Sequence, residues 1–89
     1  MAHAPTQVRL QKTLKEGLRR CVYRRWDATV KGAMLITKTT ELERMYRGNT
    51  PYPIGKPKVT RRVYRSPSLA KLALQRAHER RKSAGYRPS

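Results

Sequence analysis

The chain has 89 residues, of which 22 are Lys or Arg and only 5 are Asp or Glu, so its formal net charge is +17. Because this charge opposes compact folding and Leu, Ile and Val supply only 15 residues, the composition predicts no independent core and a polyanionic partner. The single cysteine, Cys21, excludes an internal disulfide, and the longest strictly apolar run, Ala33 to Ile36, is too short for a membrane-spanning helix.

Residues 1–5 are predicted to form a tail, and a long helix is predicted over residues 6–31. Apolar residues recur every four positions through this segment, which is typical of one surface of a helix. They are Leu10, Leu14, Leu18, Val22, Trp26 and Val30. A strict step of four drifts by about 40° on a helix of 3.6 residues per turn, so we expect the two ends to contact different neighbours.

A second, shorter helix is predicted over residues 40–47, and together the two helices make a basic segment over residues 6–48. Thr40 and Glu43 have the spacing of a capping box, which marks the start of a helix. The stretch between the helices, residues 32–39, is open to two interpretations. It either continues the first helix or forms a short extended connection.

Residues 49–65 are predicted to be an extended linker, because three prolines and a glycine disfavour a helix and favour a polyproline-like path. A C-terminal helix is predicted over residues 66–84, with Ser66 as its N-cap and Pro67 at the first helical position. Residues 85–89 are predicted to form a second tail. These elements predict a mainly α fold: an extended, non-globular chain of two to three helices without a core of its own, not a stable monomer when alone.

Arginine is concentrated at positions that suit phosphate binding. Four of the seven residues from Arg19 to Arg25 are Arg, and the excess of 14 Arg over 8 Lys favours structured RNA over duplex DNA. Four of the five tyrosines directly precede an arginine, so that a ring and a guanidinium can contact one nucleotide. These pairs are Tyr23-Arg24, Tyr46-Arg47, Tyr64-Arg65 and Tyr86-Arg87. A solvated helix face for the arginines, and a small core for the tyrosines, are the alternatives.

The predicted RNA-binding residues come from the three predicted helices and from the basic end of the linker. They are Arg19, Arg20, Tyr23, Arg24, Arg25, Arg47, Arg61, Arg62, Tyr64, Arg65, Arg76, Arg80 and Arg81. No catalytic or metal site is predicted, because Cys21 stands alone and His3 and His78 are far apart without a carboxylate pair beside them. We therefore expect no enzyme activity, no cofactor and no small-molecule substrate.

Short length, strong basicity, Arg-rich helices and a proline-rich connection together make the chain resemble the small proteins of ribosomes, particularly mitochondrial ones. The run from Arg61 to Pro67, followed by a basic helix, resembles the small-subunit ribosomal family numbered twenty-one, although residues 31–58 depart from that compact family. The resemblance implies a structural component of a ribosome. Its partners would be rRNA and neighbouring ribosomal proteins.

The Arg-rich, nearly acid-free segment up to Trp26 is similar to a mitochondrial import signal, although it lacks serine. We therefore expect the protein in the mitochondrial matrix, with a cytoplasmic or other organellar ribosome as the alternative. Two other functions stay open. One is a matrix-facing accessory subunit of a respiratory complex, because Val22-Tyr23-Arg24 resembles the Leu-Tyr-Arg motif of small mitochondrial subunits. The other is a free nucleic-acid-binding protein.

Overall fold

The computed structural model describes residues 6–17, 20–45 and 51–88, which form an antiparallel sheet of six strands with a helix on one face. The elements in chain order are β1 (Gln7–Glu16), β2 (Arg20–Lys31), β3 (Met34–Met45), β4 (Tyr52–Pro53), β5 (Lys58–Val63), α1 (Pro67–Ser83) and β6 (Arg87–Pro88). The strand order is β4, β3, β2, β1 and β6, and β5 also pairs with β3.

The predicted mainly α fold is wrong, because the segment predicted as a long helix over residues 6–31 forms the antiparallel pair β1 and β2. A step of four residues is also two steps of the strand period, so Val22, Trp26 and Val30 share one face of β2. In β2, the buried residues Trp26, Ala28 and Val30 alternate with half-buried ones. The four-residue spacing in this segment therefore reflects the alternation of a strand and not the turn of a helix.

The predicted short helix over residues 40–47 is also wrong where the structure describes it, since residues 40–45 belong to β3. Thr40 and Glu43 lie on opposite faces of this strand and form no capping box. β3 follows β2 through a two-residue turn in which Gly32 has a φ of +59°. A hairpin turn with glycine at its first position is a common way to join antiparallel strands. Gly32 therefore turns the chain between two strands of 12 residues each.

The predicted linker over residues 49–65 is extended where described, but it forms part of the sheet. β4 and β5 both pair with the same edge of β3, and between them the Ile54 N–H donates to the Glu41 carbonyl at 2.8 Å. The pairing register shifts by two residues between β4 and β5, where Gly55 has a φ of +74°. The proline-rich segment is therefore an edge of the sheet with an interruption.

A helix lies where a C-terminal helix is predicted. The Ser66 Oγ accepts from the Leu69 N–H at 3.3 Å, and Pro67 begins the helix. Gly85, with a φ of +96°, ends the turn that follows it. α1 crosses one face of the sheet from the β5 edge, so β6 pairs with β1 at the opposite edge.

The core lies between α1 and one face of the sheet, which we call the helix face. Its buried residues are Val8, Leu10, Trp26, Ala28, Val30, Leu35, Ala70, Leu74 and Tyr86. Ala28 and Ala70 have no exposed surface, as expected where the helix backbone comes close to the sheet. The prediction of a chain without a core is wrong, because a count of Leu, Ile and Val leaves out the large apolar area of Trp26 and Tyr86.

The opposite face of the sheet, the open face, carries no helix among the described residues. Tyr23 and Leu42 are directly paired across β2 and β3 on this face and are each 6% exposed. On the same face the Arg9 Nε lies 2.5 Å from the Asp27 Oδ1. The described part of the molecule therefore has one face that is covered by α1 and one face that is not.

Candidate nucleic-acid interface

A groove of about 420 Å³ lies on the helix face, between the C-terminal turns of α1 and strands β3 and β5. We call it the main groove. Its lining residues are Trp26, Leu35, Thr37, Thr60, Arg62, Tyr64, Ala77, Arg80, Arg81 and Ala84. Strand alternation directs Thr60 and Arg62 of β5 to this face, while the helix contributes residues from its last turns. The groove therefore combines sheet, helix and linker residues that are distant in sequence.

The floor of the main groove contains an aromatic ring and two threonine hydroxyl groups. Trp26 is 2% exposed, so its ring is fixed by the core. Thr37 and Thr60 are direct partners in β3 and β5, and their hydroxyl groups hydrogen-bond to each other. The floor therefore offers both an apolar surface and oxygen atoms that can donate or accept.

Two arginine side chains of the main groove are positioned by aromatic rings. The Arg81 Cζ lies 5.4 Å from the centre of the Trp26 ring and 5.5 Å from that of Tyr86. The Arg62 Cζ lies 5.4 Å from the centre of the Tyr64 ring. A ring that holds a guanidinium by cation–π attraction does not neutralise its charge. These two cations are therefore ordered and still able to bind an anion.

Three acidic residues of the sheet pair with arginines outside the main groove. Three ion pairs occur among the described residues: Arg9 with Asp27, Arg20 with Glu43, and Arg24 with Glu41. None of these pairs includes Arg62, Arg80 or Arg81, which line the main groove. These three arginines therefore form no ion pair with a described residue.

A second groove of about 410 Å³ adjoins the main one and extends its positive surface. Lys56 and Lys58 line it together with Arg24 and Glu41, and Arg81 lines both grooves. The Arg24 Nη2 lies 2.8 Å from the Glu41 Oε1. Hydrogen bonds from its guanidinium to Glu41 and to Tyr86 raise the pKa of Arg24 above its usual value. Arg81 thus stands at the centre of a basic surface that runs across the end of α1.

Tyr86 organises this end of the molecule. It is 5% exposed, and the Lys12 Nζ lies 5.9 Å from the centre of its ring. The same Nζ donates to the Ala84 carbonyl at 2.7 Å, which fixes the turn after α1. Three cations, those of Lys12, Arg24 and Arg81, therefore surround one buried ring.

An apolar cleft of about 270 Å³ continues the main groove towards the start of α1. Leu69 and Leu72 line it and are 44% and 40% exposed. Arg62, Tyr64 and Arg80 line both this cleft and the main groove. Apolar surface thus continues directly into positive charge, which suits a ligand that has both an aromatic part and an anionic part.

Four of the predicted site residues meet in the main groove, namely Arg62, Tyr64, Arg80 and Arg81, and Arg76 lines the apolar cleft. The other described ones do not join them there. Arg24 lines the second groove, Arg20 pairs with Glu43, Arg65 is exposed in the turn before α1, and Tyr23, Arg25 and Arg61 are on the open face. The Arg25 Nε is buried without a hydrogen-bond partner among the described residues. Arg19 and Arg47 lie outside the described residues.

Where the structure describes them, the members of a predicted Tyr-Arg pair do not form one compact site. Tyr23 and Arg24 are successive residues of β2 and point to opposite faces of the sheet. Tyr86 is buried in the core, and Tyr64 instead stacks with Arg62. The pair of Tyr46 and Arg47 lies outside the described residues. Aromatic and cationic side chains do meet, and the contacts of Arg81 with Trp26 and of Lys12 with Tyr86 join residues that are distant in sequence.

Sequence reasoning missed Lys56, Lys58 and the structural role of Trp26. The alternation of Trp26, Ala28 and Val30 was the available signal, because it places an aromatic ring on the buried face of a strand. Nothing in the local sequence brings Trp26 beside Arg81, since three strands and most of α1 lie between the two in the chain.

Among residues 6–17, 20–45 and 51–88, no group of three His, Cys, Asp or Glu side chains could hold a metal ion. The helix found in the same residues is neither long enough nor apolar enough to cross a membrane. The chain matches no protein-family model, no curated protein and no solved structure. The resemblance to ribosomal proteins therefore stays a prediction.

Proposed function

We propose that the chain binds nucleic acid through the main groove and the basic surface beside it. The observation that carries this proposal is the set of three arginines, Arg62, Arg80 and Arg81, that line one groove and form no ion pair within the described part of the chain. Guanidinium groups bind phosphate oxygens through two parallel hydrogen bonds. Such a groove binds a phosphodiester backbone at low cost, because two of the three cations are already ordered by aromatic rings.

A nucleic acid fits this surface better than a small anion does. The basic surface continues from Arg62 through Arg81 to Lys56 and Lys58. Its separate cations can each contact a different phosphate of one strand. The adjoining apolar cleft gives a base or a ribose a place next to the phosphate contacts. The net charge of +17 adds long-range attraction to any polyanion.

Within nucleic acids, we propose structured RNA in a ribonucleoprotein particle, with a mitochondrial ribosome as the setting. The excess of Arg over Lys supports RNA, because the planar guanidinium both stacks on bases and binds phosphate. The composition of the chain and the basic run before α1 support the ribosome. In this proposal the protein is a structural component, and rRNA and neighbouring ribosomal proteins are its partners.

A salt titration tests the groove. We expect the purified chain to bind a folded RNA with an affinity that falls steeply with salt. The two grooves have six cations, and Arg24 is paired with Glu41. If the other five contact about five phosphates, the slope of log affinity against log salt is about −3.5 to −4.5. A slope near zero would contradict the electrostatic account, and equal affinity for duplex DNA would contradict the preference for RNA.

Sedimentation of a cell extract tests the ribosomal setting separately. We expect the chain to travel with ribosomal particles at moderate salt and to cross-link to rRNA through residues of the main groove. Sedimentation with membrane complexes alone would overturn the ribosomal setting in favour of a respiratory-complex subunit. The salt titration with purified chain would still decide whether the groove binds nucleic acid.

A further inference from the structure

Strand β5 is an open edge of the sheet. It pairs with β3 on one side, and no described residue pairs with its other side. All six residues of Lys58–Val63 are exposed, and Val63 is 74% exposed. An exposed edge of this kind is a template on which another strand can add.

The backbone groups that β5 presents outward follow from its pairing with β3. The Tyr64 N–H donates to the Ala33 carbonyl at 2.8 Å, and hydrogen-bonded pairs alternate along an antiparallel ladder. Lys58, Thr60 and Arg62 therefore direct their backbone groups to β3. The outward N–H and carbonyl groups belong to Val59, Arg61 and Val63, and they are the groups that an added strand would bind.

The side chains of β5 define the partner that this edge fits. Lys58, Arg61 and Arg62 are basic, and the strand contains no acidic residue. On the open face Val59 and Val63, which are 40% and 74% exposed, flank Arg61. Opposite charges that are directly paired across strands are stabilising, and like charges are destabilising. A second copy of this chain, with a charge of +17, is therefore disfavoured as the added strand.

We propose that the outer edge of β5 binds an extended acidic segment of a partner protein as an additional antiparallel strand. The segment places acidic residues opposite Lys58, Arg61 and Arg62 and apolar residues opposite Val59 and Val63. A nucleic acid also complements the charge, but it has no peptide groups with which to continue the ladder. The backbone edge of β5 is separate from the nucleic-acid grooves, and only its side chains on the helix face, which include Lys58 and Arg62, are shared with them.

A capped synthetic peptide with the core Val-Glu-Glu-Thr-Val-Glu tests the proposal on the full chain. When the peptide pairs antiparallel to β5, its six core residues face Val63 to Lys58 in that order. We expect the bound peptide to slow hydrogen exchange of the Val59, Arg61 and Val63 amides. The amides of Lys58, Thr60 and Arg62 already bond to β3 and serve as the internal reference. Unchanged exchange at the three outward amides, with peptide in saturating excess, would overturn the proposal.

Two controls separate strand addition from attraction between charges. The first is the same peptide N-methylated at the three residues that face Val59, Arg61 and Val63, which keeps its charge and loses its donors. We expect on the order of a hundredfold weaker binding, because three hydrogen bonds are lost. Equal binding of the two peptides would overturn the proposal.

The second control is the variant Val59→Pro, which removes one outward N–H and leaves the bonds to β3 intact. We expect about fivefold weaker peptide binding, with RNA binding by the main groove unchanged. Peptide affinity equal to that of the unaltered chain would count against the proposal. So would protection of the three outward amides by a single-stranded oligonucleotide but not by the peptide.

Discussion

The double variant Arg62→Gln/Arg80→Gln is the most direct test of the main groove. Both side chains are exposed, line the groove and take part in no ion pair among the described residues. Glutamine keeps a polar side chain of moderate length. The fold should tolerate the change, because the contact of Arg62 with Tyr64 is at an exposed site, where a cation–π interaction contributes about 0.5–1 kcal/mol.

The expected loss of affinity follows from two fewer phosphate contacts. Each contact contributes about 0.7 to 0.9 to the slope of log affinity against log salt, so the slope should become shallower by about 1.4 to 1.8. At a salt concentration of about 0.1 M this corresponds to about 25- to 60-fold weaker binding, if the non-ionic terms are unchanged. The predicted change is therefore large in both affinity and salt dependence.

A matched control removes the same charge from the other side of the sheet. Lys38 and Arg44 are exposed on the open face, and Lys38→Gln/Arg44→Gln lowers the net charge by the same amount. Fluorescence anisotropy with one labelled RNA, repeated over a salt series, gives affinity and slope for both variants. We expect the control to lose far less affinity. Equal losses would mean that total charge, rather than the groove, governs binding.

Three stability predictions follow from the packing around the groove, each measured by urea unfolding. Trp26→Ala should lower the free energy of unfolding by about 3–5 kcal/mol, because it leaves a cavity in the core, and a loss below about 1 kcal/mol would contradict the burial of this ring. Gly85→Ala should cost about 1–3 kcal/mol, since its φ is +96°, whereas Gly17→Ala, whose added carbon makes only an ordinary contact, should be nearly neutral. Lys12→Met should cost about 1 kcal/mol through loss of the bond to the turn after α1, and Lys15→Met, at an exposed site, should cost less.

The error in the predicted fold has a specific physical origin. Apolar residues four apart satisfy strand alternation fully, but on a helix they drift by about 40° at each step. This drift makes a strand the better fit to the spacing. The β-branched and aromatic residues that follow Cys21 also favour a strand. The C-terminal segment differs because its signals are local: Ser66, Pro67 and Gly85 mark helix ends through backbone conformation, whatever the rest of the chain does.

The site was partly predictable for a related reason. Arg62, Tyr64, Arg80 and Arg81 could be singled out because basic and aromatic side chains near a helix are visible in sequence. Their convergence with Trp26 depends on α1 crossing the sheet, and no local pattern encodes that crossing. The pairing of acidic residues with Arg9, Arg20 and Arg24 was equally hidden, because it depends on strand register.

The short pairing of β6 with β1 also has a consequence for the order of folding. Tyr86 belongs to the core, yet it follows the helix in the chain, and β6 closes the sheet against the first strand. During synthesis the hairpin of β2 and β3 can form early, because its contacts are local. The core stays incomplete until Tyr86 has been added and has left the ribosome. A chain that ends before Gly85 would therefore lack both the Tyr86 ring of the core and the strand that covers the edge of β1.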